Sequence, residues 1–239
     1  MRRQIFDAKK FVDVRQPPPE IFDKVFAGLV KLLRVCYYPH GLLAEENIYP
    51  YTTAFLMPIV DQVMREEGAV LKIKIEEIDS ANLLLENSTG QVDLIIQYLD
   101  ELNSKQTHLI VVETNGSIDV ACLQGMLYTL RAFELNASER RTEPDAEQKA
   151  ADHLIYCICT DGVDMNIISY DGTEFKILDK RIVMFAEMGR KEIREETNEA
   201  GEKVEKEIYI YKDAWIAQYS EMVSIVYSCL RCAVKKVKE

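Results

Sequence analysis

Apolar and polar positions along the chain predict helices at both ends. Residues 20–38 carry apolar side chains at helical spacing. Residues 42–68 predict one or two further helices, with interruptions near Pro50 and Pro58, because proline cannot donate a helical hydrogen bond. Residues 209–238 are largely helical by the same pattern. The two ends of the chain therefore favour helices packed on whatever lies between them.

The middle of the chain predicts strands. Residues 69–78 alternate apolar and charged positions, and residues 91–116, QVDLIIQYLDELNSKQTHLIVVETNG, hold two apolar runs joined by a polar loop. Residues 153–177 predict two hairpins with Asp-Gly turns, and residues 181–188 predict one more strand. The charged residues 189–207 predict an exposed hairpin or arm, for which a protein-binding or dimerising edge is the sharper alternative.

One helix is predicted between the strands. Ser117 is a suitable N-cap and Asp119 falls in the first turn. Apolar residues recur on one side of this helix at Val120, Leu123, Leu127 and Leu130. The order is then helix, three strands, helix and two strands, which is typical of an α/β fold with a mixed sheet.

Composition narrows the class of protein. The 239 residues are 48% hydrophobic, enough for a core, and no run approaches the roughly 20 apolar residues of a membrane span. The N-terminus has no apolar signal region, so we expect an intracellular protein, in cytoplasm or nucleus, whose six cysteines are reduced. A net charge of −11 argues against non-specific nucleic-acid binding, although a local basic groove can sit on an acidic protein.

Two carboxylates, Asp93 and Glu113, stand in the two apolar runs. If these strands are antiparallel, the two side chains become neighbours across the ladder and repel each other. A divalent cation such as Mg²⁺ would neutralise them and could polarise a phosphodiester. The plainer alternative is structural: Asp93 ends a turn, and Glu113 caps the next helix or pairs with a lysine.

The following helix offers polar groups beside these carboxylates. Gln124 and Tyr128 are spaced i,i+4 on one face, with Arg131 near them. They could donate to a phosphate or to metal-bound water. A polar edge on an amphipathic helix explains the same spacing.

The segments GQVDLII, HLIVVETNG and LQGMLY together resemble the PD-(D/E)XK nuclease superfamily, which has an Asp on one strand, Glu-x-Lys on the next and Gln-x-x-x-Tyr on a helix. Residues 44–68 are similar to the leading helix of restriction-enzyme and Crinkler-type nuclease domains. The Thr-Asp-Gly turn downstream also fits. The resemblance covers about residues 42–178, through short motifs whose order and spacing carry most of the specificity.

The resemblance implies a restriction-endonuclease-like core over residues 42–185, with an N-terminal helical addition (1–41) and a charged hairpin and helix (186–239). It implies Mg²⁺ or Mn²⁺ as cofactor and DNA or RNA as substrate. The metal ligands implied are Glu46 (or Glu45), Asp93, Glu113 and the backbone carbonyl of Thr114, with Asn115, Gln124 and Tyr128 around them.

Asn115 stands where the family has lysine, so the charge that stabilises a transition state is missing from that position. Three interpretations follow. Lys72, Lys74 or Arg131 supplies the charge; the site works slowly with the amide; or the fold has lost catalysis and binds a protein or nucleic acid. Clustered carboxylates favour a working site, and the acidic net charge favours the binding module.

Other motifs say less about function. Phosphate-loop, nucleophile-elbow and dinucleotide fingerprints are absent from the sequence. A structural zinc site built from Cys157, Cys159, Cys229 and Cys232 is a third and weaker hypothesis. Among the histidines, only His40, shortly before Glu46, is a candidate for the site. The sequence thus predicts a Mg²⁺-dependent nuclease or a silent relative, with a protein partner or a homodimer also open.

Overall fold

A computed structural model describes most of the chain. The described residues are 5–6, 11–36, 45–79, 89–100, 105–140, 154–182, 186–197 and 203–238. Some side chains at the ends of elements, including those of Glu45 and Glu46, lie outside this description.

Five helices, one short 3₁₀ segment and nine strands make up these ranges. The helices are α1 (Pro19–Cys36), α2 (Glu45–Glu67), α3 (Ile118–Arg140), α4 (Lys212–Tyr219) and α5 (Glu221–Lys238), and the 3₁₀ segment is Ala186–Gly189. The strands are β1 (Ile5–Phe6), β2 (Leu71–Asp79), β3 (Thr89–Asp100), β4 (Lys105–Thr114), β5 (Ile155–Thr160), β6 (Asp164–Tyr170), β7 (Phe175–Ile182), β8 (Lys191–Thr197) and β9 (Lys203–Tyr209).

The described strands β1 to β7 form one mixed sheet in the order β1-β7-β6-β5-β4-β3-β2. Strands β2, β3 and β4 are an antiparallel meander, and α3 then crosses over so that β5 runs parallel to β4. Gly162 and Gly172 take φ of 89° and 93° in the two Asp-Gly turns. The α/β class with a mixed sheet is confirmed, and the predicted order of helix, three strands, helix and two strands is followed by one further strand, β7.

The sheet is covered on both faces. Helices α1, α2 and α5 bury one face in a large core that includes Phe26, Ile59, Ile158 and Val226. Helix α3 covers the other face in a smaller core with Val111, Cys157 and Ile168 among its members. The terminal helices therefore share a core with the central sheet. No helix in the described ranges combines the length and apolar character of a membrane span.

Helix α2 differs from its prediction. Pro50 and Pro58 both lie inside one continuous helix. Tyr51, Phe55 and Ile59 are buried against neighbouring elements, and this packing maintains the helix despite the lost backbone donors.

The prediction of a separate strand over residues 181–188 is wrong. Arg181 and Ile182 complete β7, and residues 186–189 form the 3₁₀ segment instead. Met188 is buried in the large core from this short helical turn, which explains an apolar residue here without a strand.

Helix α3 buries a different side from the one its large apolar residues suggest. Val120, Leu123 and Leu127 are exposed. The side against the sheet carries mostly small residues, Ala121, Cys122, Gly125 and Ala132, together with Tyr128. Small side chains let the helix approach the sheet closely, whereas leucines would hold it away.

The charged segment forms the predicted hairpin within its described part. Strands β8 and β9 pair antiparallel in a separate two-stranded ribbon. At its base Tyr209 packs edge-on against Phe26 of α1, with ring centroids 5.6 Å apart. The ribbon is therefore anchored at one end and exposed along most of its length.

Candidate functional site

Asp93 and Glu113 meet on neighbouring strands, as the sequence predicts. Leu94 lies opposite Val112 in the β3–β4 ladder, so one further step sets Asp93 beside Glu113. The β2–β3 ladder shifts register at this point: Lys74 lies opposite Ile95 but Glu76 lies opposite Val92, which leaves two residues of β3 against one of β2. Such a bulge redirects side chains locally and is common beside functional sites.

Thr114 holds Asp93 in place. The backbone N of Thr114 and its Oγ1 both donate hydrogen bonds to Oδ2 of Asp93, each at 2.7 Å. Two donors on one carboxylate oxygen fix the rotamer of the aspartate. The sequence assigned Thr114 only a carbonyl role, and this use of its hydroxyl and N–H was missed.

Glu113 is almost fully buried, with 4% of its surface exposed. Its Oε2 accepts no hydrogen bond from any residue that the structure describes. Burial and the neighbouring charge of Asp93 raise the pKa of Glu113 to about 8, and a hydrogen bond from the backbone of Asp93 opposes this rise. At neutral pH the carboxyl is therefore held protonated unless a cation compensates its charge.

Helix α3 reaches this carboxyl through Gly125. A Cβ placed on Gly125 would lie 3.6 Å from the Cβ of Glu113, and only 2.5 Å and 2.9 Å from the sulfurs of Cys157 and Cys159. Only glycine permits this approach. The sequence offered a signal, since glycine in the middle of a long helix usually reflects close packing.

Gln124 and Tyr128 lie on this side of α3. The amide Oε1 of Gln124 is buried and accepts no hydrogen bond from a described residue. Burial and the negative charges of Glu113 and Asp93 raise the pKa of Tyr128, so its phenol stays protonated and lies within electrostatic reach of both carboxylates. The structure thus brings together Asp93, Glu113 and Tyr128, with Gln124 one turn before the tyrosine.

Asn166 extends this polar group and was missed by sequence reasoning. Cys159 is paired with Glu113 on one side and with Asn166 on the other, so the three residues form one row across the sheet. Nδ2 of Asn166 contacts Sγ of Cys122 at 3.3 Å, while its Oδ1 is buried with no hydrogen bond from the described residues. A polar residue beside the apolar run Ile167–Ile168 was the available signal.

Asn115 performs a local structural task. Its side-chain oxygen accepts a hydrogen bond from the N of Ser117 at 3.1 Å, and its own N–H donates to the carbonyl of Thr160. This Asx turn leads the chain from β4 into α3.

Lys74 is a basic candidate on the face of the sheet that α3 covers. It lies opposite Ile95, whose side chain packs in the core beneath α3, and residues paired across a ladder point to the same face. Lys72 is on the same face but further along the exposed part of the strand. Arg131 forms an ion pair with Glu134 at 3.1 Å.

The site residues fit a hard cation in chemistry, because Asp93, Glu113, Gln124 and Asn166 all present oxygen atoms. The described residues contain no group of three or more His, Cys, Asp or Glu that could hold a metal ion. Glu46 lies in the first turn of helix α2, two residues before the buried Ile48, but its side chain is outside the described part of the structure.

The cysteine pairs do not meet. Cys157 and Cys159 face α3, with their sulfurs 3.5 Å apart, whereas Cys229 lies in the core on the opposite face of the sheet. A zinc site from all four is therefore not formed. His108 has a structural role, since its backbone and ring both contact Oδ1 of Asn136 at 2.9 Å, and His40 lies outside the described residues.

Comparisons of the chain with protein-family models, with curated proteins and with solved structures found no match.

Proposed function

We propose that this protein is a Mg²⁺-dependent nuclease, or a nuclease-like protein, that hydrolyses phosphodiester bonds of DNA or RNA. The observation that carries the proposal is Glu113: a buried carboxyl beside Asp93, with one oxygen that no described donor satisfies. A buried acceptor without a donor is costly, and a bound cation removes both this cost and the repulsion between the two carboxylates.

The order of elements supports the same proposal. The strand with Asp93, the strand with Glu113, helix α3 and the strand pair β5–β6 follow one another in the order that the resemblance to PD-(D/E)XK nucleases implies. It sets Asp93 and Glu113 side by side on two interior strands of the sheet and brings Gln124 and Tyr128 towards them from the helix.

In this proposal each residue has a separate task. Asp93, oriented by Thr114, and Glu113 would hold the cation with the carbonyl of Thr114, and Glu46 would join them from α2. Mg²⁺ supplies Lewis-acid polarisation of a phosphodiester and a lowered pKa of bound water.

The remaining residues would act on the substrate. Tyr128, kept protonated, and the NH₂ group of Gln124 are donors for a phosphate oxygen. Lys74 would supply the positive charge that Asn115 lacks, since it projects from the face of the sheet that α3 covers.

A cleavage assay tests the proposal. Purified protein is incubated with single- and double-stranded DNA and RNA in Mg²⁺ and in Mn²⁺, beside the isosteric variants Asp93→Asn and Glu113→Gln. We expect cleavage by the wild type and a loss of about 100-fold or more in each variant, because the bound ion would lower the activation barrier by several kcal/mol. Asp61→Asn is the matched control, as Asp61 is an exposed carboxylate on α2, paired with Arg65.

One observation favours a second candidate, a catalytically silent nuclease-fold module that binds a protein or nucleic acid. Asn115 supplies no charge, and its side-chain oxygen is committed to the turn into α3. The same assay, run beside a Mn²⁺ titration, separates the two. The silent module binds Mn²⁺ but cleaves none of the four substrates. Equal cleavage by the wild type and both variants contradicts the enzyme.

A further inference from the structure

Strand β8 has an outer edge that pairs with no strand in the described part of the chain. The ribbon contains only β8 and β9, and every residue of β8 after Lys191 is exposed. Ile193, in the middle of the strand, is 65% exposed, the largest exposed fraction among the large hydrophobic side chains described. An isolated two-stranded ribbon with an exposed isoleucine is at best marginally stable, and a further strand would stabilise it.

The hydrogen bonds of the ribbon determine which backbone groups this edge presents. Ile210 donates from its N to the carbonyl of Arg190, so the pair at the base of the ribbon is a hydrogen-bonded one. Hydrogen-bonded and open pairs alternate along an antiparallel ladder. The residues in the open pairs, whose N–H and C=O groups point to the outer edge, are therefore Lys191, Ile193, Glu195 and Thr197.

Charge selects one way for this edge to pair with a copy of itself. When Ile193 lies opposite Ile193 of a second chain, Lys191 lies opposite Glu195 and Glu192 lies opposite Arg194, each pair occurring twice. Other antiparallel registers also align the outward backbone groups. Each of them that pairs three or more residues of β8 sets one glutamate directly opposite another. Charged edges normally prevent association, and here they prevent all registers but one.

We propose that two copies of this protein associate through β8, antiparallel about a two-fold axis at Ile193, to form a continuous four-stranded sheet β9-β8-β8-β9. The two chains then bury the exposed isoleucines together and satisfy the outward backbone groups of Lys191, Ile193 and Glu195. The interface is isologous, so the association stops at the dimer.

Two further features support this choice. Within one ribbon Glu195 lies directly opposite Glu205, and although Lys203 forms an ion pair with Glu195 at 3.0 Å, the lysine of a second chain would add a further cation beside the two carboxylates. The edge of β9 is less suitable for pairing with its own copy. Every antiparallel register that aligns its outward backbone groups and pairs five or more of its residues sets one glutamate opposite another.

A charge-swap experiment tests the dimer with the full chain. Sedimentation equilibrium over a range of concentrations should show the wild type rising from 27.5 kDa towards twice that mass. A basic variant, E192K/E195K, and an acidic variant, K191E/R194E, should each dimerise at least about 10-fold more weakly, because all charged pairs become repulsive. A 1:1 mixture of the two should form a heterodimer, since every pair is then attractive.

The control is K236E, which reverses an exposed charge on α5, outside the ribbon, and should leave the wild-type dissociation constant unchanged. Circular dichroism confirms that the variants are folded. Amide exchange of the wild type gives a second measurement: the amides of Ile193 and Glu195 should exchange more slowly at high concentration than at low. A wild type that stays monomeric overturns the proposal. So does a dimer whose dissociation constant is unchanged in the charge variants and whose exchange at these two amides does not depend on protein concentration.

Discussion

Thr114 donates two hydrogen bonds to a single oxygen of Asp93, one from its backbone N and one from its Oγ1, both 2.7 Å long. Asp93 lies inside β3 and borders a bulge, yet its carboxylate is fixed by the end of the neighbouring strand. The bonds also tie β3 to β4 at the point where Glu113 turns towards α3.

The hydroxyl of Thr114 should therefore matter to stability. Thr114→Val keeps the shape of the side chain but removes one donor to a carboxylate, and we expect a loss of about 1.5–3 kcal/mol in the free energy of unfolding. Thr114→Ser keeps the hydroxyl and should lose less. Urea unfolding measures both, and equal losses in the two variants would show that the hydroxyl is not what holds Asp93.

Glu113 should make the protein less stable as pH rises. The folded protein keeps this carboxyl protonated up to about pH 8, whereas the unfolded chain releases the proton near the ordinary pKa of 4.5. Between these values the folded state binds more protons, so the free energy of unfolding falls with increasing pH, by a few kcal/mol in order of magnitude.

Unfolding of wild type and Glu113→Gln in EDTA, without divalent cations, compared between about pH 5 and pH 8, checks this dependence. As pH rises, the free energy of unfolding of the wild type should fall relative to that of Glu113→Gln, because glutamine does not titrate. Asp61→Asn, an exposed control, should run parallel to the wild type. A Glu113→Gln curve that is also parallel to the wild type would contradict the buried, proton-bearing carboxyl.

Gly125→Ala should destabilise the protein even though alanine favours helices by up to about 1 kcal/mol. The new Cβ would lie 2.5 Å from the sulfur of Cys157, so α3 must move away from the sheet, at a net cost of roughly 1–3 kcal/mol. Gly28→Ala is the matched control, because its Cβ would meet nothing nearer than 3.4 Å.

The double variant Gly125→Ala, Cys157→Ala should recover part of this loss, since it removes the nearer of the two sulfurs that the new methyl group meets. Thermal unfolding monitored by circular dichroism gives all four midpoints. If Gly125→Ala is as stable as the wild type, α3 does not approach the sheet as closely as the structure has it.

Lys74 should affect cleavage more than metal binding. In the proposed nuclease, Lys74→Met removes the charge that Asn115 does not supply, and we expect cleavage to fall by about 100-fold or more while Mn²⁺ affinity changes little. Lys72→Met, an exposed neighbour on the same strand face, is the control. Equal activity of the wild type and Lys74→Met would remove Lys74 from the proposed mechanism.

Much of this arrangement could be predicted from the sequence, because strand alternation and helix spacing are local properties. The apolar runs around Asp93 and Glu113 predicted two paired strands, and the pairing brought the carboxylates together. The spacing of Gln124 and Tyr128 likewise predicted a shared helix face.

What could not be predicted depends on contacts between distant segments. The large side chains of α3, such as Leu123, suggested the wrong buried side. The helix contacts the sheet through Gly125 instead, and this contact depends on the position of β5. Pro50 and Pro58 predicted breaks in α2 that tertiary packing overrides. The faces of Lys74 and Asn166 depend on the register of β2 and β6, which no local pattern specifies.

The central claim is that Asp93 and Glu113 hold one divalent cation, and calorimetric titration with Mn²⁺ tests it most directly. The account predicts one bound ion per chain in the wild type and in Asp61→Asn, with binding abolished or weakened by at least about 10-fold in Asp93→Asn and in Glu113→Gln. A wild type that binds no Mn²⁺, or variants that bind it as tightly as the wild type does, would contradict the account.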